Sequence, residues 1–335
     1  MRRRTLVPCA LMGVAVASLL VIGCPRGASS DPWANAGSKP KVLVSFAPLY
    51  SFAVNVAGPD ADVKCLLTTS GPHNHGDASS RQIDLARGCD VFIVNGLGLE
   101  DEADGIVAKL EKVAANPNWN VLNLGSKIDE SWLREGECHH NHAEHAAGEH
   151  EHGTDPHVWL SIRCAKKMVE GIRDELKRLD PDHAAGYESR AAAYLVELDR
   201  LESDGKAKLK DKDERWILSF HESLNYFAET YGLKIAGSIQ VDPGKEPTQD
   251  TLKAIIKKCQ NPNKPVRVIA VEPQFSNHTS ARVIRDALRG LRDNPVQAEF
   301  AEVDPLETCA EADLSAELYE KVMQRNLAEL ARVLR

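Results

Sequence analysis

The sequence has no CxxC pair, no GxSxG elbow, no GxxxxGK[ST] loop and no HExxH helix. Those absences exclude a redox dithiol or thiolate zinc knuckle, the α/β-hydrolase nucleophile, a Walker-type phosphate cradle and the common zinc-protease helix. Positive charge is also short: 41 Lys and Arg face 49 Asp and Glu, a balance of −8. Without the first 23 residues, which hold Arg2, Arg3 and Arg4 and no acid, 38 basic residues face 49 acidic ones, or −11. Nucleic-acid footprints are basic, so phosphate-backbone binding is not expected. The apolar run from Leu6 to Ile22 is too short and wrongly flanked for a stable membrane span. What is present is 335 residues at 43% apolar and 27% charged, enough for a core of its own and neither disordered nor fibrous. At roughly 100 to 200 residues per domain, two domains are expected.

The three arginines followed by the apolar run read as an export signal over residues 1–23. Val21-Ile22-Gly23-Cys24 resembles the lipobox at which bacterial lipoproteins are cleaved, which makes Cys24 the expected lipidation site. Lipid there would hold the chain on a membrane leaflet without spanning it, at the periplasmic or cell-surface side. Residues 24–40, rich in Ser, Gly, Pro, Ala and Asn, read as a flexible lipidated tether. Eight cysteines also suit an exported protein. Beyond Cys9 and Cys24 remain Cys65, Cys89, Cys138, Cys164, Cys259 and Cys309. Order along the chain suggests disulfides Cys65–Cys89, Cys138–Cys164 and Cys259–Cys309.

From Lys41 onward, short β-branched runs alternate with amphipathic stretches, the pattern of a parallel sheet with crossover helices. Strands are expected at 42–46, 63–67, 91–96 and 120–125, with helices near 49–57, 79–88 and 101–115. The arrangement recurs with strands at 216–220, 234–239, 266–272 and 297–303 and helices near 222–231, 248–260, 277–290 and 313–334. Between the halves, 160–178 and 183–210 read as helices, the second long and free of proline. The expected fold is α/β: two Rossmann-like lobes, 41–180 and 213–335, joined by a linker helix within 181–212. Residues 137–152, ECHHNHAEHAAGEHEH, hold six of the twelve histidines: His139, His140, His142, His145, His150 and His152. Such a tract cannot bury a core and reads as a low-affinity metal-collecting loop.

Ligand residues in α/β folds lie beyond the carboxyl ends of strands, and several histidine- or acid-bearing turns fall there. They carry His73 and His75, His157, His221 with Glu222, and Asp304. Imidazoles plus one carboxylate suit zinc better than calcium or magnesium, which prefer oxygen donors. Trp159 and Phe275 read as ordinary core aromatics.

The segments GPHNHG, RQIDLARGCDVFIVNGLGLED, the histidine-rich loop before DPHVWLS, the FHES turn and EPQF together resemble the metal-binding proteins of ABC-type zinc and manganese importers. The likeness runs from about residue 41 to the C-terminus. It implies a bilobed fold with Zn(II) held as cargo in the interlobe cleft and delivered by a monomer to a membrane permease. Carried over residue by residue, it makes His73, His157, His221 and Asp304 the ligands, with His75 an alternative or additional one in a first loop that departs from the pattern. Histidine rather than glutamate at 221 resembles the zinc branch. Glu222 is a weaker ligand candidate, and Glu272 is expected to support the site from behind rather than bind metal.

Two other cargoes and two other classes remain in view: manganese or iron in the same site, a zinc hydrolase, and an adhesin or storage lipoprotein. Catalytic zinc keeps an open position, so a late carboxylate on the metal would favour capture over hydrolysis.

Overall fold

Val42 to Val44 and Val91 to Val94 are apolar at every position, as central strands of a parallel sheet covered on both faces must be. The computed structural model describes residues 31–68, 71–72, 76–136, 153–240, 245–275, 278–291 and 297–335. In it these runs are neighbours, β1 (Lys41–Val44) and β3 (Val91–Val94), flanked by β2 (Asp62–Cys65) and β4 (Val121–Asn123). All pair in parallel in the order β2-β1-β3-β4. Helices α1 (Ala47–Ala57), α2 (Ser80–Gly88) and α3 (Ile106–Ala114) connect them, and α4 (Ile162–Leu179) packs on α1.

The second sheet repeats this plan with β5 (Trp216–His221), β6 (Lys234–Gln240), β7 (Val266–Val271) and β8 (Glu299–Glu302), in the parallel order β6-β5-β7-β8. Its helices are α6 (Asn225–Tyr231), α7 (Gln249–Cys259), α8 (Thr279–Arg289) and α9 (Leu318–Val333). In each sheet the chain reverses its winding between the first and third strands, the crevice where open α/β sheets bind ligands. The expected two-lobed α/β architecture is therefore present.

Helix α5 (Ala184–Leu209) joins the lobes and is about 39 Å long at 1.5 Å per residue. It buries Tyr187, Ala191, Tyr194, Leu198, Leu201, Gly205 and Leu209, a single stripe that packs on α1 and α4 at one end and on α6 and α9 at the other. Gly205 is required by that packing: a Cβ there would lie 2.4 Å from the Tyr231 ring and 2.7 Å from Leu327.

Four differences from the sequence expectation have physical causes. Helix α3 starts at Ile106 rather than near 101, because residues 97–105 form a loop in which the Glu100 carboxylate accepts the N–H groups of Asn95 and Gly96. Helix α9 starts at Leu318 rather than 313, because the preceding segment crosses to the first lobe, where Cys309 N donates to Thr68 O at 3.0 Å. Within the expected tether, residues 32–40 are folded down: Trp33 is buried, and its indole N–H donates to Leu85 O at 3.0 Å.

The expected disulfides also fail where the cysteines are described. Cys65, Cys89, Cys164, Cys259 and Cys309 are all thiols. Cys65 Sγ turns to Leu67 O and Cys89 Sγ to Ala86 O, and burial pushes both thiols up to about 12. Cys259 lies in the core of the second lobe, whereas Cys309 is carried across to Thr68. The signal, Cys24, Cys138 and the whole 137–152 loop lie outside the described residues. Among the described residues, no helix is long and apolar enough to cross a membrane.

Candidate metal centre

His221 is the last residue of β5, and Glu272 follows the end of its neighbour β7, at the crevice of the second sheet. Both Glu272 oxygens lie 2.7 Å from His221 Nδ1, and Oε1 also accepts the His221 N–H at 3.2 Å. Glu272 is fixed in turn by Gln274 Nε2 at 2.7 Å and Ser223 Oγ at 3.5 Å.

His157 is placed from the first lobe. Asp155 closes a turn by accepting the His157 N–H at 3.0 Å, and the same Oδ1 lies 2.8 Å from His157 Nδ1. Asn95, just past β3, donates to Pro156 O at 3.0 Å. From the second lobe, Asn225 Nδ2 reaches Asp155 Oδ2 at 3.1 Å and Tyr226 OH reaches Asp155 O at 3.2 Å. A short turn, Val158–Leu160, then leads into α4, whose first turn is capped by Ser161.

Both imidazoles thus present Nδ1 to a carboxylate and Nε2 to the cleft. There one oxygen meets both: Glu307 Oε1 lies 3.2 Å from His157 Nε2 and 2.9 Å from His221 Nε2. The three residues are buried, and each offers a ligand atom within 4.8 Å of the others. Burial alone would lower the histidine pKa values. The flanking carboxylates outweigh it, raising His157 to about 9 through Asp155 and Glu307 and His221 well above its ordinary value through Glu272 and Glu307. A carboxylate behind each ring and a shared carboxylate in front is the arrangement of metal-ligating histidines, whose outer N–H is held by an acceptor. Two imidazole nitrogens and a carboxylate oxygen suit zinc.

Sequence reasoning missed Glu307 and Asp155. Asp304, expected as the carboxylate ligand, accepts the Leu306 N–H at 2.8 Å and pairs with Arg325 at 2.7 Å instead. The chain turns at Pro305 and Leu306, the latter at φ 64°, before a carboxylate points into the cleft. Asp304 is accordingly part of the turn and lies outside the cluster. Glu222 is also outside it and accepts from Asn225 Nδ2 at 3.2 Å. Glu272 stands behind His221, and Phe275 packs against Phe220 with ring centroids 5.2 Å apart. His73 and His75 lie outside the described residues. The described end of their loop runs past Glu307: a Cβ on Gly71 would lie 3.9 Å from the Glu307 Cβ.

Two lobes of parallel sheet around a buried cluster of two imidazoles and a carboxylate that could hold a metal ion have the form of a cleft-type metal-binding protein. The chain belongs to the family of the periplasmic component A of zinc-uptake complexes, ZnuA, whose model matches residues 42–333. It is 27% identical over 321 residues to the zinc-binding lipoprotein AdcA of Streptococcus pneumoniae serotype 4, covering 96% of this chain and 60% of that protein. It is 28% identical over 263 residues to the high-affinity zinc uptake system protein ZnuA of Bacillus subtilis, covering 78% of this chain and 80% of that one. The chain thus spans only about three fifths of the AdcA length. A crystal structure of ZnuA superposes with a TM-score of 0.70 at 26% identity, covering 89% of this chain and all of that one.

Proposed function

We propose that this protein captures Zn(II) outside the cytoplasm and hands it to an ABC-type membrane permease. The observation that carries the reading is the convergence of His157 Nε2 and His221 Nε2 on Glu307 Oε1 in a buried cleft between lobes. Each ring has its other nitrogen tied to a carboxylate, so loss of the Nε2 proton leaves a lone pair already aimed at the cation. His73 is the fourth ligand in this reading, with His75 as alternative, supported by the passage of Gly71 beside Glu307. Four protein ligands close a tetrahedral shell and leave no position for a reacting water, which favours a carrier over a hydrolase. The nitrogen-rich set favours zinc over manganese.

Residues 1–23 act as the signal and Cys24 as the lipid anchor in this reading, in keeping with a relative named as a lipoprotein. The histidine-rich loop gathers zinc and passes it to the cleft. Its two ends are clamped together immediately before Asp155, by Gly136 N to Gly153 O at 2.8 Å and Asp155 N to Arg134 O at 2.9 Å.

The test is metal content by elemental mass spectrometry after dialysis against a weak chelator, beside a His157→Ala, His221→Ala double variant with the loop intact. One retained zinc in the parent and none in the variant is expected. Equal zinc in both would make the loop the only binder and overturn the cleft assignment. Deleting residues 139–152 is expected to leave the tight site and slow uptake only under zinc scarcity.

A further inference from the structure

We propose that Trp159, placed in the protein core, is a positioning residue that sets the distance between Glu307 and His157. The inference rests on the reading of Glu307 as a zinc ligand.

By chain order Glu307 belongs to the second lobe, since it follows β8. The strap that follows it is held on the first. Between β8 and α9 the chain leaves its own sheet: Cys309 N donates to Thr68 O at 3.0 Å, Arg81 pairs with Glu311, and Ala316 O accepts from Ser51 Oγ at 2.6 Å and Asn55 Nδ2 at 2.8 Å. The strap begins at a clamp on Asp304, whose N–H and C=O are both taken by the Asn326 amide at 3.0 and 2.7 Å. Pro305 and the left-handed Leu306 then redirect it, and Glu307 is the first side chain past the bend to reach the imidazoles.

Trp159 touches this bend directly. Its indole N–H donates to Pro305 O at 2.8 Å, two residues before Glu307, while Trp159 itself lies two residues after His157. The ring is fully buried, 5.2 Å from the His157 ring and edge-on to Phe46 at 4.8 Å. Its backbone carbonyl accepts Tyr319 OH at 2.7 Å, so the start of α9 is tied to the same residue. One residue therefore joins the three: its ring links the turn that carries His157 to the bend that carries Glu307, and its backbone carbonyl links both to the helix that follows. Packing accounts for the Phe46 contact, whereas the N–H is spent on a carbonyl of the bend itself. Metal sites require ligands held within a fraction of an ångström, and loss of such outer supports weakens metal binding by about 10- to 100-fold.

The experiment compares Trp159→Phe, Tyr319→Phe and Glu307→Gln in the full mature chain. Each is loaded with Co(II) for visible d–d absorption and separately with Zn(II) for dissociation into excess chelator. Trp159→Phe keeps a ring against Phe46 and removes the N–H; it is expected to alter the Co(II) bands and speed zinc release about tenfold. Tyr319→Phe should shift both in the same direction by less, and it carries the test alone if Trp159→Phe does not fold. A merely structural role would lower the unfolding temperature of the metal-free protein and leave the Co(II) bands of the folded fraction in place. Altered bands in Glu307→Gln, with both aromatic variants matching the parent within about twofold, overturn this inference and leave the ligand assignment standing. Unchanged bands in Glu307→Gln overturn both.

Discussion

Glu272 meets His221 with both of its carboxylate oxygens, each 2.7 Å from Nδ1. That contact leaves Nε2 as the ring nitrogen that faces Glu307, and so as the one open to a cation. Glu272→Gln keeps the shape and weakens the acceptor. Zinc affinity is expected to fall by about 10- to 100-fold, measured by competition with a fluorescent chelator at fixed pH. Asp155→Asn should act the same way through His157. A change under about threefold in both would mean that the rings are oriented by packing alone.

Glu307 and Asp304 are three residues apart but are used differently, and substitution separates them. Glu307→Ala removes a carboxylate that touches both imidazoles and is expected to abolish zinc retention after dialysis against a chelator. Asp304→Asn loses charge at Arg325 yet leaves the ligand set intact, so it should retain one zinc that exchanges faster. The reverse ranking in elemental analysis would return the ligand role to Asp304.

The contrast shows what was legible in the sequence. Uninterrupted apolar runs such as VFIV and a long stretch without proline allow only buried parallel strands and a rigid helix, so both sheets and α5 were readable. His221 was readable as a candidate because it ends β5 at the ligand side of its sheet, and His157 because a proline turn sets it just ahead of a helix. The strand-end rule then chose Asp304, the first acid after β8. In the structure Asp304 is taken up by the turn, because Leu306 adopts a left-handed conformation that a leucine does not advertise, and the carboxylate that faces the imidazoles comes past the bend. The Cys259–Cys309 pair failed similarly: Cys259 lies in the core of the second lobe, whereas the strap carries Cys309 across to Thr68 of the first.

Trp33 was hidden by its surroundings of Ser, Gly, Pro and Asn, where a single tryptophan is the only sign of docking. It is buried against α2, with Gly88 leaving space for the ring and Lys64 Nζ 5.2 Å above it. Trp33→Ala is expected to cost about 3 to 5 kcal/mol in urea unfolding of the metal-free protein, the usual range for a buried large aromatic. A loss under about 1 kcal/mol would mean that residues 31–40 behave as a free tether after all.

Glu100 gives the fold a pH dependence of defined sign. It is fully buried, and burial pushes its carboxyl up to about 7 against the opposing pull of Ser45 Oγ at 2.5 Å and the N–H groups of Asn95 and Gly96. In the unfolded chain a glutamate titrates near pH 4.3, so the folded state holds this proton more tightly. Its contribution is therefore most favourable below about pH 4, is lost as pH rises toward 7, and is flat above that, a change of a few kcal/mol. Glu100→Gln removes the titration. The unfolding free energy of the variant minus that of the parent is expected to rise by a few kcal/mol between about pH 5 and 8, measured with chelator present to exclude zinc linkage. Parallel curves would show that the loop hydrates when the carboxyl ionises. Ionisation matters beyond stability, because Asn95, whose N–H is held by Glu100, also holds Pro156 O beside His157. Loosening of this loop should therefore appear first as faster zinc exchange, at a pH where the protein is still fully folded.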